Sequence, residues 1–151
     1  MPSREPSILS SAEGEKFAAG PFAFTSRVSG AQSEGAFEMY ELAMGPATID
    51  YHIHRRMDET IHVLEGAVEF IVAVKKFPRP AGSTAFIPRG IHHGLTNHGP
   101  ARARVLIVFN PNANQHEYFR ELEKLFAAPT LDTAALGELQ TRYDQELVPL
   151  D

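Results

Sequence analysis

Three histidines and one glutamate, His52, His54, Glu59 and His93, are spaced so that two separate β-hairpins can hold one divalent metal ion between them. Residues two apart in a strand face the same side, so His52 and His54 aim together while Tyr51 and Ile53 face away. The polar turn Arg55-Arg56-Met57-Asp58 follows, and Glu59 opens the returning strand close enough to add an oxygen donor on that face. His93, just after the Pro88-Arg89-Gly90 turn of a second hairpin, supplies the fourth donor. Such a set suits one divalent transition metal per chain: Fe, Mn, Ni, Co, Cu or Zn. An octahedral ion held this way keeps positions open for water, dioxygen or substrate, which implies chemistry or ligand capture.

The elements that must position these residues are short β-type runs between Phe22 and Phe109, punctuated by Gly, Pro and Asn. Candidate strands are Phe22–Val28, Phe37–Met44, Thr48–His54, Thr60–Leu64, Ala67–Val74, Ser83–Ile87, His93–Asn97 and Arg102–Phe109. This predicts an all-β fold, a double-stranded β-helix or jelly-roll barrel over about 22–110, followed by C-terminal α-helices within about 114–145. Tyr118, Phe119, Leu122, Leu125 and Phe126 recur at helical intervals up to Pro129. A second helix runs from Thr133 to about Tyr143, with Asp132 as N-cap and a Leu131–Leu136 staple. Both are expected to pack on the barrel exterior or on a neighbouring subunit. Residues 1–20 read as a loosely ordered arm, and 21–151 as one domain.

Composition narrows the function classes. The chain of 151 residues contains no cysteine, so disulfides and thiolate metal sites are excluded. A net charge of −5 with no basic run longer than a pair argues against nucleic acid, and a small molecule is the expected partner. No apolar run spans a bilayer and no secretory leader is evident, so no membrane association and a cytoplasmic location are expected.

The remaining histidines sort by parity. His62 and His92 fall on the faces opposite the ligands, His98 lies in a turn and His116 near a helix start, both expected to be solvated. Asn97 is expected to hydrogen-bond the backbone before Gly99-Pro100, and Gly66, Gly82 and Gly90 to supply special turn conformations. Ile61, Val63 and Leu95 share a face with the ligands and, with Phe70 or Tyr40, are expected to wall the pocket. Arg55, Arg56 and Arg89 sit on turns at its mouth, where solvated charge is the expected role.

These residues resemble the cupins. Gly45, His52, His54, Glu59 and Gly66 match the family's first motif, and Gly82, Pro88, Gly90, His93 and Asn97 match every position of the second. In one departure, six residues rather than five separate Gly45 from His52, which is expected to shift a turn without touching the ligands. Pro78 and Pro80 also interrupt the strand between the motifs, as an edge permits. Stretches such as His54–Thr60, Val63–Gly66 and Glu117–Leu122 are similar to small single-domain cupins described as quercetin-dioxygenase-like.

The resemblance implies a metal-dependent dioxygenase-like enzyme acting on a small aromatic or enolisable substrate, with Glu59 as ligand or catalytic base. The alternatives are a non-redox metalloenzyme (isomerase, decarboxylase or lyase) and a binding barrel that leaves its ligand unchanged. The last strand, with Val105, Ile107 and Phe109 on one face and Leu106 and Val108 on the other, reads as buried on both sides and predicts a homodimer.

Overall fold

Alternation of buried and more exposed side chains builds many of the barrel's strands, and the computed structural model describes residues 4–149. Eleven strands and two helices follow in order: β1 (Lys16–Ala19), β2 (Phe22–Val28), β3 (Glu38–Met44), β4 (Ala47–Ile53), β5 (Asp58–Glu65), β6 (Ala67–Val72), β7 (Lys75–Pro80), β8 (Thr84–Ile87), β9 (His93–Asn97), β10 (Ala103–Asn110), α1 (Gln115–Ala127), α2 (Thr133–Arg142) and β11 (Glu146–Leu147). They form two antiparallel sheets, ordered β1-β2-β3-β10-β5-β8 and β11-β4-β9-β6-β7. This is the jelly roll that the eight predicted strands required, enlarged at the edges by β1, β7 and β11.

Each addition has a physical reason. Lys16–Ala19, read from sequence as part of a loose arm, is an edge strand because Phe17 and Ala19 bury between β2 and α1, with the Phe17 ring 5.1 Å from that of His116. Pro78 does not interrupt β7, which closes at Pro80. Both prolines lie on the sheet's outermost strand, whose free side needs no N–H donors. β11 is only two residues long and has no hydrophobic period, so it is visible only through its pairing with Ile53 and His52 of β4.

The core lies between the sheets. Tyr40, Leu42 and Met44 of β3, Val105 and Ile107 of β10, and Ile61 and Val63 of β5 are buried there. Across β10, Leu106 and Val108 are only half-buried, so that strand is covered on one face and open on the other in the single chain.

Sequence places the helices on the barrel exterior or on a neighbouring subunit; α1 instead lays its aromatic face on inward-facing residues. Phe119 stacks on Phe24 with centroids 4.0 Å apart and meets Tyr40 edge-on at 4.8 Å. What fixes α1 there is Glu38, wholly buried on β3. Asn114, at the N-cap position, makes no side-chain cap, and the Glu38 carboxylate instead accepts from the backbone N–H groups of Ala113, Gln115 and His116 at 3.1–3.3 Å. The Tyr40 hydroxyl donates to the same carboxylate at 2.7 Å. In α2, Asp132 caps as expected, accepting from the Ala135 N–H at 3.0 Å. Among the described residues no helix is long and apolar enough to cross a membrane.

Candidate metal centre

All four sequence-predicted donors converge. One donor atom from each of His52, His54, Glu59 and His93 lies within 4.8 Å of all the others, and all four residues are buried. His54 Nε2 and His93 Nε2 lie 3.1 and 2.7 Å from Glu59 Oε1, and His52 Nε2 is 3.1 Å from His54 Nε2.

The backbone sets which nitrogen faces inward. His52 Nδ1 donates to the Asp50 carbonyl at 2.6 Å, His54 Nδ1 to Asp144 at 2.7 Å and His93 Nδ1 to Ile91 at 3.0 Å. A carbonyl can only accept, so each Nδ1 carries a proton, which leaves Nε2 as the nitrogen that can give a lone pair to an ion at the centre. The Nε2 atoms of His52 and His54, 3.1 Å apart, are close enough to share a proton or to face one cation together. The donor set therefore fits a divalent metal of nitrogen and oxygen preference.

Electrostatics agree. Burial, with the neighbouring imidazoles His93 and His54 adding to it, pushes the His52 pKa down to about 3, which keeps this ligand neutral. Burial alone would raise Glu59, but hydrogen bonds and charge from His54 and His93 outweigh it and hold the carboxylate ionised. Burial likewise opposes a charge on His54, yet the bond to Glu59 raises its pKa overall.

The extra residue before His52 is taken up inside the strand rather than by shifting a turn. The register runs Ile49↔Leu95 and then His52↔His93, so β4 spends three residues where β9 spends two. The resulting bulge reverses parity within the strand and brings His52 directly opposite His93. Gly94 makes this possible: a Cβ there would lie 2.9 Å from the Ile49 carbonyl oxygen and 3.1 Å from Ile71 Cγ2. Sequence reading passed over Gly94, which sits beside a ligand in a β-prone run, a position where glycine marks a close backbone approach.

The turn after α2 is the other unforeseen part. Asp144, at φ 65°, gives its carbonyl to His54 and its carboxylate oxygens to the N–H groups of Arg55 and Arg56, both at 2.8 Å. A segment 90 residues from His54 thus holds that ring and the turn behind it.

The expected pocket walls need correction. Ile61, Val63, Leu95, Phe70 and Tyr40 belong to the packed core, because parity gives the face of a strand but not the depth along the barrel. The cavity, about 160 Å³, opens instead between the ligands and the helices. His52, His54 and Glu59 form one wall, and Phe24, Phe109, Phe119, Leu122, Phe126 and Leu136 are among the apolar side chains that line much of the rest.

The other assignments from parity stand. His62 faces outward and bonds Thr84 Oγ1 at 2.7 Å, and His92 is exposed against Tyr51. His98 is exposed and pairs with Glu69, but His116 is half-buried and bonds Glu15 at 2.7 Å, so it is less solvated than expected. Asn97 donates to the carbonyls of Met44 and Ala101 and accepts from the Gly99 N–H, locking the turn. Arg55 and Arg89 pair with Glu146 and Asp58 at 2.8 and 3.0 Å, and Arg56 lies 3.9 Å from Asp144. None of the three arginines lines the cavity.

Comparison with known proteins agrees with this geometry. Residues 38–109 match the Cupin domain, a span containing all four donors. The chain is 36% identical over 98 residues to germin-like protein subfamily 2 member 2 of Arabidopsis thaliana; the match covers 56% of this chain and 45% of that protein, so the chain spans less than half its relative's length. Among solved structures, KdgF from a Halomonas species superimposes with a TM-score of 0.66 at 18% identity, covering 74% of this chain and 99% of that one. A cupin-superfamily sugar phosphate isomerase from Silicibacter pomeroyi gives 0.62 at 20% identity, covering 71% and 77%. The polyketide cyclase RemF from Streptomyces resistomycificus gives 0.61 at 17% identity, covering 77% and 94%. At these identities the likeness establishes the cupin fold and leaves the reaction open.

Proposed function

We propose that this cupin-fold chain is a metal-dependent, dioxygenase-like enzyme acting on a small aromatic or enolisable molecule. The observation that carries the reading is one cavity with His52, His54 and Glu59 on one wall and mainly apolar side chains around it, phenylalanines and leucines foremost, with a few polar groups such as Asp50 and Gln140 among them. The four converging donors support a bound cation, and the largely apolar lining beside them favours a ring or hydrocarbon body. A metal held there supplies Lewis acidity and, if redox-active, electron exchange with dioxygen.

The chain's own residues do the rest. The aromatic sleeve orients the substrate and excludes water, and Glu59 is the carboxylate on the cavity wall placed to accept a proton from a molecule whose acidity a bound metal would raise. A net positive site favours the resulting anion over a cation. Elemental analysis of protein purified without chelators, repeated on His54→Ala, tests the site; one metal per chain, lost in the variant, is expected. Oxygen uptake by the Fe(II)-loaded protein with single-ring phenols and diketones then tests the reaction, and none with any of them refutes the oxygenase assignment.

A non-redox reading has its own support, since the named structural relatives include an isomerase and a cyclase. Turnover under nitrogen, or with zinc in place of iron, would select it.

The homodimer rests on the open face of the larger sheet. Phe86, Thr60, Val108, Met39 and Val28 form one row across it by register, and Phe86 is 60% exposed. A second copy covering this row buries it by two-fold symmetry. Light scattering that returns the mass of one chain refutes the dimer.

A further inference from the structure

Gln115, the first residue of α1, is wholly buried and lines the cavity beside the candidate metal ligands. Its amide cannot be turned over. Nε2 donates to the carbonyls of Tyr143 at 2.9 Å and Ala113 at 3.3 Å, two groups that only accept, so the oxygen must occupy the other position. There Oε1 receives no hydrogen bond from any described residue. A buried acceptor left unpaired is destabilising by about 1–3 kcal/mol, and few native side chains carry that cost without a function.

Its location gives the function a direction. Tyr143 O holds Gln115 and the next carbonyl, Asp144 O, holds His54, so one turn fixes both the amide and a ligand ring. A carboxylate or ketone placed between them would turn lone pairs toward Oε1; a hydroxyl would donate to it. Size adds a limit, because about 160 Å³ is close to the cavity volume of roughly 150 Å³ that accommodates benzene.

We propose that Gln115 is a ligand-recognition residue: its Oε1 accepts a hydrogen bond from a hydroxyl of a single-ring aromatic molecule whose adjacent oxygen faces His52, His54 and Glu59. This deepens the function proposed above and rests on it. It assigns to the substrate a donor that neither the donor set nor the apolar sleeve requires.

The test uses zinc-loaded protein, which does not oxidise its ligand, with catechol and 2-methoxyphenol as probes. The second probe keeps one phenolic oxygen for the metal and lacks the neighbouring hydroxyl. Calorimetric titration is expected to show catechol binding about tenfold tighter, with the preference falling to within about twofold in Gln115→Met. A preference that survives in Gln115→Met, or no catechol binding to zinc-loaded wild type, overturns the proposal and leaves the metal site standing. If Gln115→Met loses zinc or unfolds, the wild-type protein decides by NMR. Catechol must then shift the Gln115 carboxamide resonances and 2-methoxyphenol must not; equal shifts, or none, overturn it. Should wild type bind no zinc, the function proposed above fails separately, and Gln115-dependent catechol binding by the apoprotein would preserve the present inference.

Discussion

Replacing Asp144 should weaken metal binding even though the residue touches no metal. Its carboxylate accepts two backbone N–H groups at 2.8 Å while its side chain is 6% exposed. Bonds to an ionised acceptor are worth more than neutral ones, so losing both should cost the apoprotein about 2–4 kcal/mol. The backbone contributes a second, separable effect. At φ 65° an alanine is strained by about 1 kcal/mol more than glycine, so Asp144→Ala should be less stable than Asp144→Gly by that margin. Both variants loosen the carbonyl that fixes His54, and lost outer partners of metal-bound histidine typically lower affinity about 10- to 100-fold. Zinc affinity by chelator competition, paired with urea unfolding of the apoprotein, reads the two effects apart. Zinc affinity within about twofold of wild type in a folded Asp144→Gly protein would refute the reasoning and reduce the turn to a structural clasp.

Three further outcomes follow from the same geometry. Gly94→Ala should push the bulge open, since its Cβ would meet the Ile49 carbonyl oxygen at 2.9 Å; a loss of about 2–3 kcal/mol in urea unfolding and weaker zinc binding are expected. Glu38→Ala leaves three N–H groups without an acceptor and should cost about 3 kcal/mol, with near-ultraviolet circular dichroism reporting the release of Phe119 and Tyr40. For pH, His52 stays neutral in the native apoprotein down to about 3 while the unfolded chain takes up its proton near 6.5, so this group withdraws stability as pH falls between those values. Glu59, held below its ordinary value of 4.5, withdraws its contribution as pH falls from about 4.5, and zinc affinity should fall as acidification protonates His54, whose pKa is raised. Urea midpoints and chelator competition across that range check both.

The ligand set was legible because its signals are local. Strand parity alone put His52 with His54, a short turn added Glu59, and matching glycines and a proline placed His93 on a second hairpin. Parity also turned His62 away from the site, and the helical period from Tyr118 to Phe126 announced α1. Capping chemistry placed Asp132 for the same reason, since its partner lies three residues on.

What the sequence by itself determined was therefore which side chains share a face and which donors could meet, because those follow from backbone periods of a few residues. Tertiary structure alone decided how deep each face lies and what closes over it. Ile61 and Leu95 became core rather than cavity wall once α1 filled the barrel's open end, guided by a carboxylate 77 residues before the N–H of Gln115 that it accepts. The bulge that sets His52 opposite His93 depends on the space left by Gly94 on the neighbouring strand, and the grip on His54 depends on Asp144 at the far end of the chain. Contacts between segments so far apart have no period to read, and they exist only after the sheets have folded over one another.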